Sequence, residues 1–314
     1  MIIFVTLLII AWRGILFLAE NLGKYLIPER QDFVGPIPWA NFDGVHYLTI
    51  AQVGYGNNYQ AFFPLFPLLI IETSIFFGGN YLMSSLLVVH TSLAVALFLL
   101  WKLVSLDYSS AVVKWSLLFF LCFPTSFFFG SVYTESLFLA LVLGSFYAAR
   151  KQKWFLAGLL GFFASITRVV GIAMLPILLW EWWESRKSKV MDKSFLWLLL
   201  IPAGLFTYMF YLYIRFHDAL AFVHIQPGFG ANRTGGEIIL LPQVIFRYIK
   251  IFLTVPWVEY DVRIAALECF MLVFVAGLLA LSWKHIRKSY LLFSSIKNIS
   301  NEQRFFTPDT ARKR

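Results

Sequence analysis

Eight long apolar runs constrain this chain more than any other feature: Met1 to Ala19, Ala61 to Phe77, Tyr81 to Val104, Ala111 to Gly130, Ser136 to Ala149, Trp154 to Trp183, Phe195 to Phe216 and Arg263 to Trp283. A helix needs roughly 20 apolar residues to cross hydrocarbon, and these runs cluster near that length. Across the 314 residues only 14% are charged and 60% are hydrophobic, against roughly 25% charged in an ordinary soluble domain. Such a chain cannot cover itself with polar surface, so the expected fold is an all-α polytopic membrane protein. No internal repeat or low-complexity tract is visible.

The formal charge of +9 does not indicate nucleic acid, because the cations sit in short segments between apolar runs, as the positive-inside rule requires. Three clusters, Arg150-Lys151-Lys153, Arg186-Lys187-Lys189-Lys193 and Lys284-Arg287-Lys288, are assigned to the cytoplasmic side. Trp154 to Trp183 must then leave and return as two short helices turning near Thr167-Arg168. Phe195 to Phe216 goes out, residues 217–262 stay out with an amphipathic interfacial stretch at Val244 to Val258, and Arg263 to Trp283 returns. Counting backward, the turn Pro124 to Glu135 is external. A first helix running outward makes residues 20–80 a long first extracytoplasmic loop, with Ala61 to Phe77 dipping into the membrane without crossing; Pro64, Pro67 and Glu72 fit that reading. If Ala61 to Phe77 crosses instead, the polar candidates scatter to both sides.

The expected domain is residues 1–288, followed by a polar basic cytoplasmic tail at 289–314. The start lacks a basic n-region and a small-residue cleavage site, which reads as a retained helix and not a signal peptide. The two cysteines, Cys122 and Cys269, lie inside apolar runs and imply no disulfide framework.

This topology gathers Asp43, His46, Glu135, Arg168, His224 and Arg233 on one side. Asp43 stands in a polar insertion among aromatic residues, Trp39-Ala40-Asn41-Phe42-Asp43-Gly44-Val45-His46. If that segment is helical, Asp43 and His46 share a face and set a base beside a second hydrogen-bonding group; Asp43 as a helix cap is the alternative. Glu135 opens a helix, where it either caps or binds. Arg168 either holds a phosphate or snorkels to the interface, and Arg13 is either a functional residue or a snorkelling one. His90, within an apolar run, reads as a packing residue. His224 and Gln226 precede a Gly-rich run, Pro227 to Arg233, whose amides and Arg233 suit an anion. Asn232-Arg233-Thr234 also fits a glycosylation sequon. The five histidines show no ligand spacing and no DxD-type cluster accompanies them, so a divalent metal is not indicated and no cofactor is expected. No Walker A sequence is present.

In order and wording these segments resemble the PIG-V family, GPI mannosyltransferase II and its prokaryotic relatives, within the GT-C class of polyprenyl-phosphate-sugar-dependent transferases. Phe42-Asp43-Gly44-Val45-His46-Tyr47-Leu48 with Ile50-Ala51-Gln52-Val53-Gly54-Tyr55 is similar to the family's W-D-x-x-H-F/Y-L…IA..GY signature. Ala61 to Leu68 is similar to its FFPxFP element, Phe123 to Phe138 to SP…YSEALF, and Arg168-Val169-Val170-Gly171 to R-x-x-G. Phe222 to Gln226 resembles a later external motif more loosely. Phe42 stands where the family has tryptophan, and the chain ends earlier than typical members, with fewer C-terminal helices, which fits either a native short form or a truncated reading frame.

The resemblance implies a GT-C-like bundle of about eight membrane helices. It also implies inverting transfer of a hexose, mannose in the named family, from a polyprenyl-phosphate carrier to a glycan or lipid acceptor on the extracytoplasmic side. Asp43 is then the general base, and His46, Glu135, Arg168, His224, Gln226, Arg233 and Arg13 are substrate-binding. Membrane lipids surround the protein, a partner subunit could replace the missing helices, and the compartment is the cell membrane of a prokaryote or the endoplasmic reticulum of a eukaryote. Two other readings stay open: a flippase of lipid-linked sugars, which predicts pseudo-symmetric halves, and a noncatalytic subunit.

Overall fold

A computed structural model describes residues 1–26, 39–56, 58–186, 193–229 and 241–291. Among the described residues the regular structure is entirely helical. The chain forms two compact units, Met1–Ala219 and Leu220–Arg314.

The first unit opens with α1 (Ile2–Leu26), then α2 (Asp43–Val53), α3 (Leu65–Ser74), α4 (Tyr81–Val104) and α5 (Ser110–Cys122). It continues with α6 (Glu135–Arg150), α7 (Trp154–Thr167), α8 (Met174–Ser185) and α9 (Leu200–Phe216). Local chemistry sets several boundaries. The α3 turn ends at Gly78 and Gly79, both left-handed at φ 60° and 87°. Asn80 then caps α4 by accepting a hydrogen bond from the Met83 amide at 3.0 Å. Pro124 holds Phe123 extended at φ −65°, ψ 135°, which ends α5 at Cys122. Arg168 is extended at φ −153°, ψ 141°, and ends α7 at the turn expected between two short helices.

Four helices are long and apolar enough to cross a membrane: Ile2–Leu26, Tyr81–Val104, Lys193–Phe216 and Val262–Ser282. Their surfaces agree with that, since only 11% of the apolar window of α1 is buried while Ile3, Ile10, Ile15 and Phe17 are exposed. In water this would be a large exposed apolar patch; in lipid it is ordinary surface. The run Ala111 to Gly130, read from sequence as one span, is instead broken: α5 and the 3-10 turn Pro124–Gly130 meet at 85°. Counting that bent pair gives up to five spans. The helices α6, α7 and α8 have 16, 14 and 12 residues, below the span length.

Two packing arrangements position the site. One core joins α1, α4 and α5 through Val5, Trp12, Leu93, Leu97, Val113 and Leu117. The other sets α7 against α9 and the turn Lys193–Leu199 through small residues. A Cβ at Gly158 would run into the carbonyl oxygen of Trp197, and one at Gly204 into that of Phe162. Such close backbone approach is how helices associate in lipid, where no hydrophobic drive operates.

Ion pairs tie the far end of α6. Arg150 forks onto Asp107, in the α4–α5 connection, with bonds of 2.6 and 2.7 Å, and its Nε lies 3.5 Å from Glu181 of α8. Glu181 is 1% exposed.

The second unit contains α10 (Ala221–His224), α11 (Leu241–Thr254) and α12 (Tyr260–Ser282). Tyr248 of α11 donates a hydrogen bond of 2.8 Å to Glu268 of α12. The amphipathic segment expected at Val244 to Val258 falls largely on α11. Of the tail 289–314, only Ser289 to Leu291 belongs to the described residues.

Candidate functional site

The site is built where the segment 39–44 crosses the segment 130–134. The Val132 amide donates to the Trp39 carbonyl at 2.7 Å, and the Tyr133 hydroxyl donates to the Asn41 carbonyl at 2.9 Å. A Cβ on Gly44 would stand 3.0 Å from the Val132 carbonyl oxygen, so only glycine allows the two backbones to sit this close without a shift. Val132 is fully buried beneath the crossing.

The crossing forces unusual backbone. Trp39 and Phe42 both adopt positive φ, at 67° and 53°, although neither is glycine. Each such residue costs on the order of 1–3 kcal/mol and persists only where its surroundings over-determine it. Phe42 is nevertheless 76% exposed. Its backbone, not its burial, is what the fold constrains, and the strained residue immediately precedes Asp43.

Trp39 is held from the other side by α1. Its indole nitrogen donates to Glu20 at 2.8 Å, and the Arg13 guanidinium carbon lies 3.9 Å above its ring. Arg13 also reaches the Gly130 carbonyl at 3.4 Å, at the start of the crossing segment 130–134, while Trp12 donates to Ser126 at 3.0 Å. Arg13 therefore does not snorkel outward; it clips α1 to both segments that form the site.

The turn between α5 and α6 satisfies its own backbone through hydroxyls. Ser126 donates to Leu121 O at 2.6 Å, Ser131 to Phe127 O at 3.0 Å, and Ser136 to Phe129 O at 2.6 Å. Irregular backbone at membrane depth requires this kind of compensation.

On this frame Asp43 is the first residue of α2 and is exposed. The cap position is Phe42, with no side-chain cap bond, so the capping role open to Asp43 is not the one it takes. Glu135 likewise does not cap: its Oε1 meets Arg168 Nη1 at 2.7 Å, and Arg168 also reaches Thr134 Oγ1 at 3.3 Å. The pair is only partly exposed, at 18% for Arg168 and 29% for Glu135. The second oxygen of Glu135 is buried and has no hydrogen-bond partner among the described residues. The negative charge of Asp43 is felt at Arg168, at Tyr47 and at Tyr133. Asp43, Glu135 and Arg168 thus share one neighbourhood.

Two tyrosines that sequence reasoning passed over complete it. Burial first, then the charges of Asp43 and Glu135, push the Tyr133 phenol up to about 12. Tyr47 is also raised, first by burial, and shares a hydrogen bond with Thr134. Both lie inside the motifs quoted above; a hydroxyl-bearing ring beside each candidate acid was the available signal.

His46, one helical turn from Asp43, sits among aromatic rings, 4.8 Å from Phe62 and 5.6 Å from Tyr59. The rings continue through Phe63 to Tyr208 of α9, whose hydroxyl donates to the Gln60 carbonyl at 2.8 Å. The segment 59–63 thus packs on α2 through Tyr59 and Phe62 and on α9 through Gln60 and Phe63. His90, within α4, bonds the Leu86 carbonyl of its own helix at 2.7 Å, as a packing residue does.

The remaining candidates belong to the second unit or lie outside the described residues. His224 and Gln226 belong to the second unit, where Gln226 donates to the Phe222 carbonyl at 3.0 Å and so closes its own turn. Arg233 and the sequon lie outside the described residues. Among the described residues no group of three or more His, Cys, Asp or Glu is placed to hold a metal ion.

No family model, no curated protein and no solved structure matches this chain.

Proposed function

We propose that the chain is a multi-pass glycosyltransferase of the GT-C type, related to the PIG-V family, which transfers a hexose, mannose by that kinship, from polyprenyl phosphate to an acceptor hydroxyl. On this reading about eight membrane segments form the bundle, α6 to α8 crossing as shorter helices, and Asp43 faces the extracytoplasmic side.

The observation that carries the reading is the exposed Asp43 carboxylate at the start of α2, set on a strained and cross-braced backbone beside the Arg168–Glu135 pair. A general base must be open to its proton donor, and the exposure of Asp43 supports that; the braced backbone of residues 39–44 supports a fixed starting point for its side chain. In the transfer, the acceptor oxygen attacks the anomeric carbon from the face opposite the phosphate. The carbon–oxygen bond to polyprenyl phosphate breaks, the configuration inverts, and the acceptor proton passes to Asp43.

The leaving phosphate needs charge stabilisation more than a proton, and Arg168 supplies a forked cation for it. The unpartnered oxygen of Glu135 is suited to accept a hydroxyl of the sugar or acceptor. His46 with its aromatic bed lies on the α2 surface one turn on, and a donor that stays anchored in lipid reaches such a site laterally. Roles for His224, Gln226 and Arg233 in binding the carrier phosphate are part of the same proposal.

Replacing Asp43 with Asn and assaying transfer from radiolabelled polyprenyl-phosphate mannose in membranes tests it. The expected loss is roughly 10²- to 10⁴-fold; undiminished transfer overturns the assignment.

A further inference from the structure

A groove of about 590 Å³ runs along α6 between α4 and α7, and Asp43 is not among its lining residues. Leu137, Ala140, Leu141, Gly144, Tyr147 and Ala148 line it from α6, a spacing of three and four that marks one helix face. Its wall is mostly apolar, with Val95 and Leu99 from α4 and Leu156 and Leu160 from α7, and Thr91 and Ser92 of α4 add two hydroxyls. From Leu137 to Ala148 the face is about 16 Å long at 1.5 Å per residue. One leaflet of hydrocarbon is about 15 Å thick.

The groove has a charged mouth at one end only. Lys151 and Lys153, in the turn between α6 and α7, line that end and are exposed. Neighbouring Arg150 is committed to Asp107 and Glu181, whereas among the described residues neither lysine has an acidic partner. The Lys151 ammonium lies 5.8 Å over the ring of Tyr147, itself part of the wall.

We infer that this groove is a binding site for an anionic phospholipid, one acyl chain lying along α6 and the phosphate headgroup meeting Lys151 and Lys153. Each part of the ligand has a matching part of the site. An apolar slot of one leaflet's depth takes a single chain, and two unpaired ammonium groups at the interface favour a headgroup with net negative charge over a zwitterionic one. Gly144 lets Leu99 and Leu160 close against α6 at the floor of the slot, where a Cβ would stand 3.0 Å from Leu160, and Ala140 adds only a methyl group to the wall. The site does not depend on the transfer chemistry proposed above, and its charged mouth lies at the opposite end of α6 from Glu135.

The test uses the full chain purified into bilayer discs of phosphatidylcholine and phosphatidylglycerol, then stripped by mild detergent, with the retained lipid counted by native mass spectrometry. The wild-type protein is expected to retain phosphatidylglycerol over phosphatidylcholine by roughly tenfold. Lys151→Gln combined with Lys153→Gln is expected to abolish the preference while lipid is still retained. Ala140→Phe, which fills the slot, is expected to lower retention of both lipids. Lys24→Gln with Lys114→Gln removes the same charge away from the groove and is expected to keep the preference. Equal retention by the wild type, an undiminished preference in the Lys151 and Lys153 variant, or equal loss in the Lys24 and Lys114 variant overturns the inference. Because the lysines are exposed in a turn, their variant reports even if Ala140→Phe fails to fold.

Discussion

Arg168 and Glu135 meet at 2.7 Å although one ends α7 and the other begins α6. The contact closes the site end of the helical layer and fixes the guanidinium beside Thr134. A partly buried, charge-assisted pair of this kind lies between the 0–1 kcal/mol of surface pairs and the 3–5 kcal/mol lost when a buried pair is broken. Arg168→Ala should therefore cost about 2 kcal/mol, read as a lowered Tm by intrinsic fluorescence in detergent. The reversed pair, Arg168→Glu with Glu135→Arg, should recover part of that stability and none of the transfer activity. Full recovery of activity would show that the cation's position is immaterial.

No hydrogen bond or ion pair of the Asp43 side chain is found among the described residues, so Asp43→Asn should leave stability within about 0.5 kcal/mol of wild type, as surface substitutions do. Transfer activity falls in the same preparation. A parallel fall of both would mean that the carboxylate holds the fold and not the proton.

At Gly44 a Cβ would press on the Val132 carbonyl at 3.0 Å. Gly44→Ala should shift the start of α2 by a few tenths of an ångström and cost about 1 kcal/mol from overpacking. Since small misplacements at a reacting centre lower rates steeply, kcat should fall roughly tenfold with little change in fold, seen by comparing circular dichroism with the transfer assay. The opposite result, a stability loss with kcat preserved, would separate the crossing from the chemistry.

Tyr133 stays protonated up to about 12 in the folded chain, chiefly because of burial and then because Asp43 and Glu135 disfavour its anion. An unfolded tyrosine ionises near 10. The folded value is the higher one, so its contribution is fully present below pH 10 and is lost as pH rises from 10 to 12. Alkaline titration followed by tyrosine absorbance and Tm should show that loss, and Tyr133→Phe should flatten it. Tyr47 is raised as well, which leaves a remaining slope in the variant.

Gly158 seats α7 on the turn Lys193–Leu199, and Gly204 seats α9 on α7, through backbone contacts. Gly158→Ala and Gly204→Ala should each destabilise by about 1–3 kcal/mol, measurable as lower thermal midpoints. The single variants should also leave the Asp43 neighbourhood intact in folded material, so transfer per folded molecule stays near wild type.

Much of the helical layout was legible from apolar runs and cations. The run Tyr81 to Val104 coincides with α4, and the turn at Thr167-Arg168 was forced by cationic clusters on both sides of a stretch too long for one span. The break at Pro124 was less legible because hydropathy continues unbroken through Phe127 to Phe129, and only the proline signals that Phe123 must be extended. The crossing of residues 39–44 with 130–134 left almost no trace. It is made by backbone groups 93 positions apart, and glycine at 44 is its sole compositional mark. His46 shows the same limit, since spacing put it on α2 near Asp43 while its aromatic neighbours come from the segment after that helix.

The helix α6 is tethered at both ends, by Glu135 to Arg168 and by Arg150 to Asp107 and Glu181. Fastened this way it cannot slide along its own axis, and it acts as a gauge of fixed length. Sixteen residues measure about 24 Å, short of the ~30 Å hydrocarbon thickness. If both tethers face opposite surfaces, the bilayer must thin around this helix, or its Glu135 end must sit below the headgroups. A lipid-borne phosphate would then meet Arg168 without being lifted toward water, and membrane thickness becomes a variable that tunes the encounter.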